Sequence, residues 1–120
     1  MYLLKPREEE IMEILWTLGK GFLKEILPKL KSPVPPYNTI LSMIRKLEKE
    51  GYVGFEVFGK SHQYHPIISK KEYKRIAFKS VFKRQFDNSP EALFSFFIKE
   101  ENVNIEELET LLKNLKKEQQ

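Results

Sequence analysis

Residues 35–51 read PPYNTILSMIRKLEKEG, and YVGFEVFGKSHQYHP follows at once over 52–66. Two prolines open a stretch whose apolar residues recur at helical spacing. Ile40, Met43, Ile44 and Leu47 stand at i, i+3, i+4 and i+7, which predicts a helix over about 37–50 with that stripe inward. Gly51 closes it. The helix begins with Tyr37, Asn38 and Thr39, none of which a core requires. The stripe leaves Tyr37, Asn38, Ser42, Arg45, Lys46 and Lys49 on or near the outer face, with Leu41 at its edge.

The next segment changes period. YVGFEVF and QYHPI are rich in aromatic and β-branched residues and flank the glycine-containing GKSH, which predicts a hairpin ended by Pro66. Upstream, Lys5-Pro6 leads into REEEIMEILWTLG. Pro6 suits a first helical turn, Glu8, Glu9 and Glu10 complement the helix dipole there, and Ile11, Ile14, Leu15 and Leu18 form the inward stripe. Gly19 and Gly21 end this helix. A second helix is expected over about 22–31, with Pro28 kinking or stopping it. Three helices followed by a two-stranded hairpin make a winged helix, a helix-turn-helix with a β-ribbon appended. The fold class is therefore mostly α with a small β-hairpin.

Beyond the hairpin the pattern is helical again. Ser69 with Glu72 forms a capping box, Asp87-Asn88-Ser89-Pro90 breaks one helix and starts another, and Asn104 caps a last one. The division expected is a winged-helix DNA-binding domain over 1–68 and a helical dimerisation region over 69–120. Tyr73, Ile76, Leu93, Phe94, Phe97, Leu108, Leu111, Leu112 and Leu115 are more apolar surface than a helical tail can hide, so a partner surface is expected. A second copy of the chain supplies it most economically, as a two-fold homodimer. Folding back on the chain's own winged helix is the alternative.

Charge points to the same partner class. The 120 residues carry net charge +4. Within 57–86, eight Lys/Arg face the single acid Glu72, whereas 87–120 is acidic on balance. A concentrated positive segment suits a polyanion. The chain has no cysteine, which removes disulfides, thiol catalysis and cysteine-bound metals. It has no run of about 18 apolar residues for a membrane span, and MYLLKPREEE holds no signal-peptide core. No glycine-rich phosphate loop or nucleophile–base constellation suggests an enzyme. No cofactor is expected. His62, His65 and Glu56 are too loosely spaced for a metal site. The expected setting is cytoplasmic, without membrane attachment.

The candidate DNA-binding set is Tyr37, Asn38, Thr39, Ser42, Arg45 and Lys46 on the third helix, with Lys60 and His62 at the wing tip. Asn pairs bidentately with adenine, Arg and Lys take guanine or phosphate, and Ser and Thr reach either base or backbone. Blander roles stay open: Asn38 or Thr39 as a helix cap, Arg45 and Lys46 as solvated charges. Two other functions are also open at this stage. One is a winged-helix adaptor binding an acidic protein. The other is a regulator with a small molecule near Phe94, Phe96 and Phe97.

Three segments resemble the penicillinase-repressor family of winged-helix regulators (BlaI/MecI type). The run from Glu8 to Trp16, EEEIMEILW, is similar to the family's opening. YNTILSMIRKLEKEGYV resembles its recognition-helix pattern at Tyr37, Thr39, Leu47 and Gly51, with Ser42 where Thr is common and Lys46 where Arg is common. GKSHQYHP resembles its wing at Gly59, Tyr64 and Pro66, with Lys60 for Arg. The resemblance implies a homodimeric transcriptional repressor on an inverted-repeat operator in double-stranded DNA. It also implies an upstream sensor protease that leads to cleavage at an Asn-Phe bond in the C-terminal region. Here the corresponding pair is Phe96-Phe97, preceded by Ser95, and the Asn is absent.

Overall fold

The computed structural model describes residues 3–119, except for the side chains of 111, 112, 115, 116, 118 and 119. Leu111, Leu112 and Leu115, expected at a dimer surface, fall outside the described side chains. The elements are α1 (Pro6–Leu18), β1 (Gly21–Phe22), α2 (Leu23–Ile26) continued by a 3₁₀ turn (Leu27–Lys29), α3 (Tyr37–Lys49), β2 (Val53–Phe58), β3 (Ser61–Pro66), α4 (Lys70–Phe86), α5 (Pro90–Glu100) and α6 (Ile105–Gln119). They form two compact units, one ending at Ile76 and the other starting at Ala77.

The first unit is a winged helix. Its core gathers the apolar stripes of the first three helices: Ile11, Met12 and Leu15 from α1, Ile26 from α2, and Ile40, Ile44 and Leu47 from α3. Tyr52 and Val53, at the entry to the hairpin, complete it. α1 opens as the sequence dictates. Pro6 occupies its first turn, and the Lys5 N–H donates to Glu8 Oε1 at 2.8 Å, which satisfies one of the free amides at the helix start. Gly19, at φ 82°, ends it.

Two expectations change here. The second helix is not a helix over 22–31. Gly21 and Phe22 instead form a short strand, pairing with Tyr64 and Gln63 of β3, so the sheet has three strands in the order β1-β3-β2. Phe22, Leu23 and Ile26 mimic helical spacing, but only Leu23–Ile26 is α-helical before the turn that contains Pro28. The hairpin turn is also tighter than GKSH. β2 and β3 pair from Val53↔Pro66 to Phe58↔Ser61, leaving Gly59 and Lys60 as a two-residue turn. Gly59 has φ 63° at the first central position, where hairpin geometry favours glycine.

Tyr73, expected at the dimer surface, belongs to the core of this unit. Its ring lies 5.8 Å from that of Trp16 and 6.1 Å from that of Tyr52, and its hydroxyl accepts the Leu4 N–H at 3.2 Å. Burial pushes the Tyr73 phenol above its ordinary pKa. Trp16 is held as well, its indole N–H donating to the Ile68 carbonyl at 2.9 Å.

The second unit is built differently. Its helix starts follow the sequence: Ser89 Oγ accepts from Ala92 N at 3.1 Å, and Asn104 Oδ1 accepts from Glu107 N at 2.7 Å. The break between α4 and α5 uses Asp87 and Asn88 at φ 50° and 59°, a region those residue types tolerate. Phe78, Phe82, Phe86, Phe96 and Phe97 touch in sequence as an aromatic ladder. Yet no described residue of this unit is buried; Leu93, Phe97 and Leu108 are half-buried, and Phe94 is 38 % exposed.

Candidate nucleic-acid interface

α3 sorts its residues by angle. Successive positions advance about 100° round a helix. Ile40, Ile44 and Leu47 point into the core, Met43 is half-buried at its margin, and the face opposite carries Asn38, Ser42, Arg45 and Lys49 at i, i+4, i+7 and i+11. All four are exposed, and none makes a side-chain hydrogen bond or ion pair among the described residues. Their donors are available to an outside partner. Lys49 extends the candidate set; its place on the same stripe was visible in the helical spacing.

The helix start is open in the same sense. Pro36 is the N-cap, and no side chain caps the first turn. Neither Asn38 nor Thr39 acts as the cap, so both hydroxyl and amide remain uncommitted. The amides at this end of a thirteen-residue helix suit an anion. Tyr37, 56 % exposed, flanks the stripe on the wing side, and Thr39 flanks it on the other.

Lys46 has a different position. It turns toward α1, where its Nζ lies 3.6 Å from Glu8 Oε2. Glu8 is only 2 % exposed. Lys46 thus ties the middle of α3 to the first turn of α1, and half of its side chain remains accessible.

The wing adds a second group. A cleft of about 290 Å³ runs between α3 and the hairpin, lined by Tyr37, Leu41 and Arg45 of α3, by Lys24 and Leu27, and by Lys60, Ser61 and His62. Its floor is apolar and its charged lining is cationic. Lys60 sits in the two-residue turn at the tip. His62 does not; it lies on β3 opposite Val57, with its ring stacked 4.3 Å from that of Phe55 at 5°. His65 is three residues on, which places it on the other face of the ribbon, packed against Gly54, where a Cβ would come within 2.7 Å of its Nε2. Tyr64 is buried beneath the cleft. Burial raises its phenol pKa, Glu48 adds to the rise, and Arg45 opposes it.

Arg45, Lys49 and Lys60 are therefore exposed cations, Arg45 and Lys60 on one cleft, with Asn38 and Ser42 as neutral donors ahead of Arg45 on the α3 stripe. No described helix is long and apolar enough to cross a membrane.

Comparison with known proteins agrees with this architecture. The family model described as "Penicillinase repressor" matches residues 4–117. Curated relatives named methicillin resistance regulatory protein MecI, from Mammaliicoccus sciuri, Staphylococcus aureus and Staphylococcus epidermidis, are each 23 % identical over 121 residues, covering 97 % of this chain and 95 % of theirs. With three helices followed by a hairpin wing, and a family match that runs through both compact units, the chain belongs to the penicillinase repressor family of transcriptional repressors.

Proposed function

We propose that the chain represses transcription as a homodimer on a two-fold operator, with α3 in the major groove and the wing on the adjacent backbone. The observation that carries the DNA contact is the uncommitted Asn38–Ser42–Arg45–Lys49 stripe. In this reading Asn38 and Ser42 reach base edges, Arg45 takes guanine or phosphate, Lys49 and Lys60 take phosphates, and Tyr37, Thr39 and His62 line the rim. Lys46 contributes field rather than contact, because its ammonium is drawn to Glu8.

The dimer is supported by the second unit's lack of any buried described residue. An aromatic ladder left at the surface of one chain gains its burial from a second copy. Leu93, Phe94, Phe97 and Leu108 belong to this surface in the proposal, and so do Leu111, Leu112 and Leu115; Ile76 is the half-buried last residue of the first unit. Repression would work by occlusion of a promoter. Release would follow loss of the dimer, because two linked half-sites bind far better than one. Cleavage within 69–120 by a sensor protease is one such route. The Phe96–Phe97 bond lies inside α5, so cutting there requires local unwinding first.

The test is selection from random duplex DNA at two salt concentrations. An enriched inverted repeat with half-sites about one helical turn apart, or a multiple of it, supports the proposal. Steep salt dependence without an enriched site reduces the chain to a non-specific binder. Absence of binding at low salt overturns the reading.

A further inference from the structure

The REEE run at 7–10 does more than start α1. Arg7 Nη1 donates to Glu10 Oε1 at 2.7 Å and to the Lys31 carbonyl at 2.9 Å. Arg7 Nη2 donates to the Pro33 carbonyl at 3.0 Å, and the Lys31 N–H donates to Glu10 Oε2 at 2.9 Å. One guanidinium–carboxylate pair thus takes three backbone groups of residues 31–33. That segment belongs to no helix or strand and has no ladder of its own to fix it. Three residues after Pro33 comes Pro36, the N-cap of α3. Only Val34 and Pro35 lie between, and Pro35 and Pro36 give little freedom, since proline holds φ near about −65°. Where the clamp holds 31–33, it also holds the point at which α3 begins.

Charge alone does not explain the arrangement. An i, i+3 pair on a helix surface is weakly stabilising. Here both side chains are mostly covered, at 25 % and 18 % exposure, and their polar atoms aim at the turn rather than at solvent. Lys46 and Glu8 make a second tie, this one between α1 and α3 itself, six residues along α3 from its buried Ile40. α3 is therefore fixed against the first turn of α1 at its approach and in its middle.

We infer that Arg7 and Glu10 are positioning residues for operator recognition: they touch no DNA, and they set the angle and depth at which the first turn of α3 meets the base edges. This rests on the reading of α3 as the DNA-reading helix.

The experiment uses the intact chain with Arg7→Ala, Arg7→Lys, Glu10→Ala and the swap Arg7→Glu/Glu10→Arg. The swap restores opposite charges but puts an acceptor at position 7, which cannot serve the Lys31 and Pro33 carbonyls. Affinity is measured for the selected operator and for a scrambled duplex, over a salt series, well below each variant's melting temperature. The expected result is a loss of about tenfold or more for the operator in Arg7→Ala, Glu10→Ala and the swap, of the size that one lost base contact gives. The scrambled duplex and the salt slope should be unchanged, and Arg7→Lys should recover part of the loss. A parallel fall for both duplexes with the salt slope lower by about one means that Arg7 meets a phosphate itself, and overturns the inference. Unchanged operator affinity overturns it too. Amide exchange at Lys31 in the free protein separates the two levels of the argument. Faster exchange in Glu10→Ala establishes the clamp even if the intact chain selects no operator, in which case the DNA reading is what fails, and the positioning role with it. Unaltered exchange shows that no clamp operates.

Discussion

Arg45 and Lys46 are neighbours in sequence and differ in task because about 100° separates them on the helix. Arg45 faces out with no hydrogen-bond or ion-pair partner among the described residues, so Arg45→Ala should leave the melting temperature nearly unchanged and weaken operator binding by about 1–3 kcal/mol, read by titration of labelled operator. Lys46→Ala should lower stability as well as binding. It removes the ammonium 3.6 Å from a carboxylate that is almost wholly buried. Because Lys46 is itself half exposed and screened, the expected stability loss is only about 1 kcal/mol, measured by urea denaturation. Lys49→Ala should lower the salt slope of binding by about one with little effect on site preference. Glu10 gives a pH signature. Burial alone would raise its pKa, but the Lys31 N–H, the Arg7 hydrogen bond and the charges of Arg7 and Lys31 outweigh burial and hold it below the ordinary 4.5. A carboxylate lowered in the folded state adds stability above its unfolded pKa, and that stability is lost as pH falls through the folded value. Wild type should therefore exceed Glu10→Gln in stability at neutral pH, with the gap closing below pH 4.5.

At the scale of elements, the sequence was most legible where the signal is local. Pro6 with the acids behind it, the α3 stripe, and the Ser69, Ser89 and Asn104 starts all describe a helix through residues within one or two turns of each other. β1 could not be read that way. Gly21 and Phe22 become a strand only because Tyr64 and Gln63, some forty residues on, present a free edge to pair with. The short α2 was hidden for the same reason, since Phe22, Leu23 and Ile26 fit a helical period that the chain abandons after Ile26. His62 was misplaced by a turn read as four residues instead of two, although Gly59 before Lys60 is the local sign of the tighter one. The outward stripe followed from spacing, whereas the Arg7–Glu10 clamp spans more than twenty residues and needed coordinates. α3 is held by packing rather than by capping, so Ile44→Ala, which empties a wholly buried site, should cost about 2–5 kcal/mol and loosen the hairpin along with the helix. Thermal melting followed by exchange at the Tyr52–Val53 amides would check this.

For the whole molecule, the contrast lies in where the interior is. The first unit has a closed core of aliphatic side chains with Tyr52 and Tyr73 among them, and the second has an aromatic ladder with no described residue fully covered. Phe94 is exposed in one chain and belongs to the proposed dimer surface. Phe94→Glu should therefore shift the chain toward monomer in sedimentation and weaken operator binding at least about a hundredfold, as expected when two linked half-sites become one. The melting of the winged helix should hardly change. An unaltered sedimentation coefficient would remove the second unit from dimerisation. Tyr73 was assigned to that surface on helical spacing alone; periodicity gives a face but not the body the face meets, and here α4 begins inside the core of the first unit.

Trp16, anchored to the Ile68 carbonyl and set against Tyr73, has an optical consequence. It is the only tryptophan of the chain, and all five tyrosines precede Ala77, whereas 77–120 contains phenylalanine alone among aromatics. Fluorescence excited at the red edge of the protein band therefore reports the winged helix and is blind to the helices beyond it, while far-ultraviolet ellipticity sums both. Recording the two signals on one sample gives a label-free way to watch the C-terminal helices melt, associate or be cut while the winged helix stays intact.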